Sequence, residues 1–201
     1  MRVIAGAKKG IDLRCGRGPH FRPTAQVVKG SIFDTLGIAL EGAIFLDLFA
    51  GSGSVGIEAL SRGVSRAVFV EQDHRILKAL RTNLERCRFS PPAAEVRMGD
   101  AMRYLERVVK TGAYFDVIYA DPPYAGGVAQ RVVDAVGGAR GVICRMLIVE
   151  HGSPVFAKEG GTLELAKVRH FGQTTVSYFR HRKEAGGGEG KGNAGALSGD
   201  V

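Results

Sequence analysis

Ile44-Phe45-Leu46-Asp47-Leu48-Phe49-Ala50, running into Gly51-Ser52-Gly53-Ser54-Val55-Gly56, is the stretch that decides the fold. The first half is apolar with one acid near its end, the pattern of a buried strand. The second half is a glycine-rich turn, and Ile57-Glu58-Ala59-Leu60-Ser61-Arg62 after it has helical character, with Gly63 as its stop. Strand, glycine turn, helix is one half of a crossover unit, so the chain is expected to build a parallel sheet. The glycines allow a tight turn and close approach of backbone to a ligand, and the helix start offers free N–H groups.

A second apolar run, Ala67-Val68-Phe69-Val70, ends at Glu71, 20 positions after Gly51. An acid at that place can accept hydrogen bonds from ribose hydroxyls. Gly51 to Gly56 also satisfies the fingerprint G-x-G-x-x-G. Together these imply an adenosine-containing cofactor without choosing between NAD and S-adenosylmethionine. Farther on, Phe115-Asp116-Val117-Ile118-Tyr119-Ala120 reads as a strand that runs out into Asp121-Pro122-Pro123-Tyr124. The prolines fix φ and remove two N–H donors, leaving carboxylate and carbonyl acceptors beside an aromatic face. Such a turn suits a planar –NH2 group, which donates hydrogen bonds and lies against a ring. An ordinary proline turn is the plainer reading of those four residues alone. An enzyme that modifies an exocyclic amine needs this feature and a dehydrogenase does not.

The rest of the chain alternates. Strands are expected at 44–50, 66–71, 94–98, 115–120 and 146–150. Helices are expected at 54–62, 73–88 (with Ile76, Leu77, Leu80, Leu84 and Cys87 in a stripe), after Asp100 (with Met102, Leu105 and Val109), and near 127–136. Thr162 to Val168 and Thr174 to Arg180 read as a closing hairpin around Gly172. Arg2 to Ala5 and Ile11 to Arg14 read as an opening hairpin turning near Lys8-Lys9-Gly10. The expected fold class is α/β: a Rossmann-like, mostly parallel seven-stranded sheet with a C-terminal antiparallel hairpin and an N-terminal β-hairpin extension. The expected division is a basic extension over 1–40, a catalytic domain over 41–182 and a disordered tail over 183–201, which is rich in glycine.

The 201 residues carry a net charge of +8 and are 45% hydrophobic, with an isoelectric point near 9.7. That balance suits a globular domain with a polyanionic partner. Residues 1–35 hold seven basic side chains (Arg2, Lys8, Lys9, Arg14, Arg17, Arg22, Lys29) against two acids, with His20 and Phe21 available to stack on unpaired bases. A solvated arm is the alternative reading of this charge. Cys15, Cys87 and Cys144 form no C-x-x-C pair and the histidines show no ligand spacing. Neither a disulfide framework nor a metal site is expected. No apolar run approaches the roughly 18 residues of a membrane span, and a cytoplasmic monomer is expected.

Asp47, Gly51 to Gly56, Glu71 and Asp121-Pro122-Pro123-Tyr124 resemble class I S-adenosylmethionine-dependent methyltransferases acting on exocyclic amines. Met1-Arg2-Val3-Ile4-Ala5-Gly6, Arg22-Pro23-Thr24 and Val28-Lys29-Gly30-Ser31-Ile32-Phe33-Asp34 narrow the resemblance to the bacterial RsmD family, over about Met1 to Tyr178. Lys29-Gly30 departs from the Arg-Glu pair expected there. The resemblance implies methylation of the N2 amine of a guanine in 16S ribosomal RNA, free or in a partly assembled small subunit. It implies a cofactor site from Asp47, Phe49, Ala50, Gly51, Gly53, Glu71, Gln72, Asp100 and Ala101, with Asp73 a further candidate. It places amine-binding chemistry on Asp121, Pro122, Pro123 and Tyr124, and RNA contacts on Arg2, Lys8, Lys9, Arg22 and Thr24. An adenine-N6 or cytosine-N4 methyltransferase, an NAD oxidoreductase and a non-catalytic RNA-binding assembly factor are the competing readings.

Overall fold

The structure, a computed structural model, describes residues 1–14, 24–124, 126–152 and 161–182. Cys15, His20, Phe21, Arg22 and the tail 183–201 lie outside the described residues. Strands β1 (Ile44–Asp47), β2 (Arg66–Glu71), β3 (Ala94–Met98), β4 (Phe115–Ala120), β5 (Cys144–Gly152), β6 (Leu163–Phe171) and β7 (Thr174–His181) form one sheet in the order β3-β2-β1-β4-β5-β7-β6. The pairs from β3 across to β5 are parallel, and β7 runs antiparallel between β5 and β6. The strand order reverses between β1 and β4, which opens a crevice at their carboxyl ends.

Helices α1 (Thr24–Leu36), α2 (Ser54–Ser61) and α3 (His74–Arg86) cover one face, and α4 (Ala101–Thr111) and α5 (Val128–Gly137) cover the other. The expected stripe on α3 is present, with Leu77, Leu80 and Leu84 buried against β2 and β3. Each such leucine contributes roughly 1.5–3 kcal/mol by leaving water. The expected ends of α3 and β1 shift inward. Asp73 sits outside α3 as its N-cap, accepting the Arg75 N–H at 2.8 Å, and β1 ends at Asp47, although Leu48 N–H still reaches the Tyr119 carbonyl at 2.9 Å.

The N-terminal segment doubles back as read from the sequence, but with one antiparallel bridge, Arg2 to Asp12, and a 3₁₀ turn at Gly6–Lys8 between. Its ladder is cut short because its N–H groups are drawn elsewhere. Ile4 and Ala5 donate to the Glu58 carboxylate at 2.7 and 2.9 Å, and Lys8 donates to the Ser61 hydroxyl at 2.9 Å. Glu58 is fully buried and also pairs with Lys29 Nζ at 3.1 Å and Arg62 Nε at 2.9 Å. The Lys29 ammonium donates further to the Arg2 carbonyl at 2.9 Å. Lys29 therefore fastens α1 and the N-terminal arm to α2, while a Cβ on Gly30 would meet nothing within 4 Å.

Candidate active site

Three loops leave the sheet at the crevice: 48–53 after β1, 72–73 after β2, and 121–124 after β4. Asp47 is the last residue of β1 and is almost wholly buried. Its Oδ2 accepts the Gly56 N–H at 3.0 Å, which draws the start of α2 toward the strand. Its Oδ1 has no hydrogen-bond partner among the described residues. Burial pushes the Asp47 carboxyl up to about 7; the Gly56 N–H opposes that and the Glu71 charge adds to it. A buried carboxylate oxygen lacking a donor is costly, and a cationic ligand group at Oδ1 would remove the cost.

Glu71 ends β2. Its Oε2 accepts the Gly51 N–H at 2.9 Å, and its Oε1 accepts Gln72 N–H and Asp73 N–H, both at 2.8 Å. Two donors fill Oε1, whereas Oε2 keeps room for one more. As arranged, Glu71 fits one ribose hydroxyl directly, and taking two requires release of a backbone donor. Glu71 thus ties the glycine loop to β2, with exposed Gln72 beside it.

The glycines divide by role. A Cβ at Gly53 would stand 2.2 Å from Leu80 Cδ1, and one at Gly56 would stand 2.3 Å from the Phe69 ring. Those two glycines let α2 pack against Phe69 of β2 and Leu80 of α3. Gly51, at φ +54° with nothing within 4 Å of a Cβ, is the one that borders open space. Ala50 N–H donates to the Val70 carbonyl at 3.0 Å, and Phe49 packs on the core shared with α4. Asp100 caps α4 through the Arg103 N–H at 2.8 Å, with Ala101 buried next to it. Gly99 N–H donates to the Glu71 carbonyl at 3.0 Å and brings this turn beside the end of β2.

Asp121 follows β4 and is exposed; Pro122 is buried and Pro123 exposed. Tyr124 is 46% exposed. Its hydroxyl hydrogen-bonds Thr174 Oγ1 at 2.9 Å and its ring lies on Gly152, where a Cβ would come within 3.2 Å of Cδ2. Beneath the turn, buried Tyr119 donates its hydroxyl to Glu150 Oε2 at 2.9 Å. Burial, and then the charges of Glu150, Asp121 and Asp47, hold the Tyr119 phenol well above its ordinary range, so it stays a donor. Sequence pattern assigns no role to Tyr119, Glu150, Gly152 or Thr174. Strand alternation offered a signal for Tyr119, since it places Tyr119 and Asp121 on one face.

The structure therefore gathers Asp47, Phe49 to Gly53, Glu71, Gln72, Asp100, Ala101 and Asp121 to Tyr124 at one end of the sheet. It does not bring Lys8 and Lys9 there, since Lys8 N–H meets Ser61 at the far end of α2, whereas Met1, next to Arg2, reaches the Ser54 hydroxyl at the start of α2. Arg2, Lys8 and Lys9 lie on the arm outside α2 and α3, with Lys8 Nζ 5.5 Å from the centre of the Phe89 ring, and Thr24 begins α1. Among the described residues, no group of three or more His, Cys, Asp or Glu side chains could hold a metal, and no helix is long and apolar enough to cross a membrane.

A family model described as conserved hypothetical protein 95 matches residues 1–180. The Bacillus subtilis protein YlbH is 35% identical over 184 residues, covering 90% of this chain and 100% of the relative. Ribosomal RNA small subunit methyltransferase D of Escherichia coli K12 is 30% identical over 192 residues, covering 93% of this chain and 92% of the relative. The solved structure of the Escherichia coli protein yhhF superposes with a TM-score of 0.76 at 26% identity, covering 90% of this chain and 97% of that one.

Proposed function

The chain belongs to the RsmD family, described as conserved hypothetical protein 95, and on that premise we propose that it methylates the exocyclic N2 amine of a guanine in small-subunit ribosomal RNA. It is an S-adenosylmethionine-dependent rRNA methyltransferase. The observation that carries the choice of an amine is the turn Asp121-Pro122-Pro123-Tyr124, which leaves β4 directly beside the glycine loop of β1.

When bound, S-adenosylmethionine supplies an electrophilic methyl group on a sulfonium. The chain's own residues bind and orient. Asp47 Oδ1 holds the methionine ammonium, Glu71 Oε2 accepts a ribose hydroxyl, and Gly51 leaves room for the backbone to approach. Gln72, Asp100 and Ala101 border the adenine. The guanine amine is a weak nucleophile because its lone pair is delocalised. The Asp121 carboxylate and the Pro122 carbonyl accept its two N–H bonds, aim the nitrogen, and stabilise the positive charge that grows there. Tyr124 stacks on the base, which must be unpaired or flipped out at a cost of roughly a few kcal/mol. The basic arm, with Arg2, Lys8 and Lys9, and the segment around Arg22 and Thr24 engage RNA phosphates.

The test is methyl transfer from labelled S-adenosylmethionine to small-subunit RNA made without modifications, free and protein-bound, followed by nucleoside analysis. N2-methylguanosine is the expected product. N6-methyladenine or N4-methylcytosine would overturn the base assignment, and no transfer despite cofactor binding would favour an RNA-binding assembly factor.

A further inference from the structure

Asn83 lies in the last turn of α3 and is fully buried. A buried amide must satisfy two donors and an acceptor. Asn83 does so with two segments far from it in sequence. Its Nδ2 donates to the Arg14 carbonyl at 2.8 Å and to the Ser52 carbonyl at 2.9 Å, and its Oδ1 accepts the Arg14 N–H at 2.7 Å. One side chain thus grips the basic arm by both groups of one peptide residue and the glycine loop by the carbonyl between Gly51 and Gly53. The contact has company: Arg86 Nε donates to the Asp12 carbonyl at 3.1 Å, Leu13 is buried in the core shared with α3, and Leu80 packs under Gly53.

We propose that Asn83 is a positioning residue that couples the arm to the cofactor loop, so that RNA and cofactor tighten each other's binding. This rests on the reading that the arm takes RNA and the loop takes cofactor. The Ser52–Gly53 peptide is oriented from two sides, by its Gly53 N–H on the Ala50 carbonyl at 2.8 Å and by Asn83 on its Ser52 carbonyl, and the Gly51 N–H on Glu71 holds the loop just before it. Cofactor seated on Gly51 holds the Ser52 carbonyl in the orientation that Asn83 needs. Asn83 then holds Arg14, and the arm presents its cations in one arrangement. Coupling is reciprocal, so RNA on the arm orders the loop by the same factor.

The experiment measures equilibrium affinity of the full chain for unmodified small-subunit RNA with and without saturating S-adenosylhomocysteine, and the reverse. The unsubstituted protein is expected to show about a fivefold to tenfold mutual tightening, within the usual range for coupled sites. Asn83→Ala, or Asn83→Ser as a milder change, is expected to bring that factor below about twofold. Leu84→Ala, a core truncation in the same helix that keeps the amide, is expected to retain it. Equal loss of coupling in Leu84→Ala would reduce Asn83 to a stability role and overturn the proposal. Binding of both ligands without coupling in the unsubstituted protein would overturn it while leaving the functional reading intact. Failure to bind S-adenosylhomocysteine at all would overturn the functional reading itself. A measurement free of variants is hydrogen exchange: S-adenosylhomocysteine alone should slow exchange at the Arg14 amide, and unchanged exchange there would contradict the coupling.

Discussion

Replacing Asp47 by Asn should strengthen the ligand-free fold and weaken cofactor binding at once. The Asp47 carboxyl ordinarily titrates at 3.8 and burial raises it to about 7. A folded acid with a raised value binds more protons than the unfolded chain between those two limits, so stability falls as pH rises through the window. A rise from 3.8 to about 7 corresponds to at most about 4 kcal/mol of cost above pH 7. Asn keeps an oxygen for the Gly56 N–H and removes the charge. Urea unfolding of Asp47→Asn without ligand should therefore give a gain of about 2–4 kcal/mol at pH 8, shrinking below about 1 kcal/mol at pH 4. Cofactor changes the sign of the effect, because an ammonium at Oδ1 stabilises the carboxylate. With a free value of about 7, S-adenosylhomocysteine binding should release about half a proton at pH 7 and about a tenth at pH 8. Calorimetry in buffers of different ionisation enthalpy reads this number directly. A variant that is less stable at pH 8, binds S-adenosylhomocysteine with unchanged affinity, or shows the same proton release as the parent refutes the reasoning.

The remaining expectations follow from packing. Glu58→Ala strips the acceptor from Ile4 and Ala5 and leaves the Lys29 charge buried, which should cost about 3–5 kcal/mol in chemical denaturation. Burial by itself would raise the Glu58 carboxyl, but the Ile4 N–H, Arg62 and Lys29 outweigh it and hold it below its ordinary value of 4.5. Its stabilising contribution is therefore present above that pH and lost on acidification, and the parent should lose more stability than Glu58→Ala below it. Gly53→Ala forces a Cβ against Leu80 at φ +82° and should cost about 1–3 kcal/mol of stability. Gly51→Ala should cost only about 1–2 kcal/mol and act mainly on S-adenosylhomocysteine affinity; the reverse pattern would contradict the division of the glycines. Tyr124→Phe and Thr174→Val each remove one hydrogen bond, worth about 1 kcal/mol, and should each lower kcat about fivefold. The double variant should be no worse than either, and additive losses would show that the hydroxyls act separately.

Much of this was legible in the sequence because it depends on local pattern. Strands 66–71, 94–98 and 115–120 lie where they are expected. The acids Asp47, Glu71 and Asp100 sit at strand ends, where alternation of strand and helix implies a ligand crevice. What stayed hidden depends on contacts between distant segments. Glu58 reads as an ordinary helix-surface acid, yet it is buried by an arm 53 and 54 residues away. Asn83 reads as a polar residue on an amphipathic helix, yet its partner Arg14 is 69 residues away. Lys29 looked like a departure from the family pattern, and its buried pairing with Glu58 supplies its reason. The turn signal of the N-terminal hairpin is present, but side-chain acceptors on α2 compete for the N–H groups its ladder would need.

Single-turnover methyl transfer by Asp121→Ala, with cofactor and RNA affinities measured on the same preparation, tests the central claim most directly. The account predicts that formation of N2-methylguanosine falls by several orders of magnitude while both affinities stay within about threefold, as for a group whose interactions matter chiefly in the transition state. Transfer at near the parental rate, or loss of cofactor binding with chemistry otherwise intact, would contradict it.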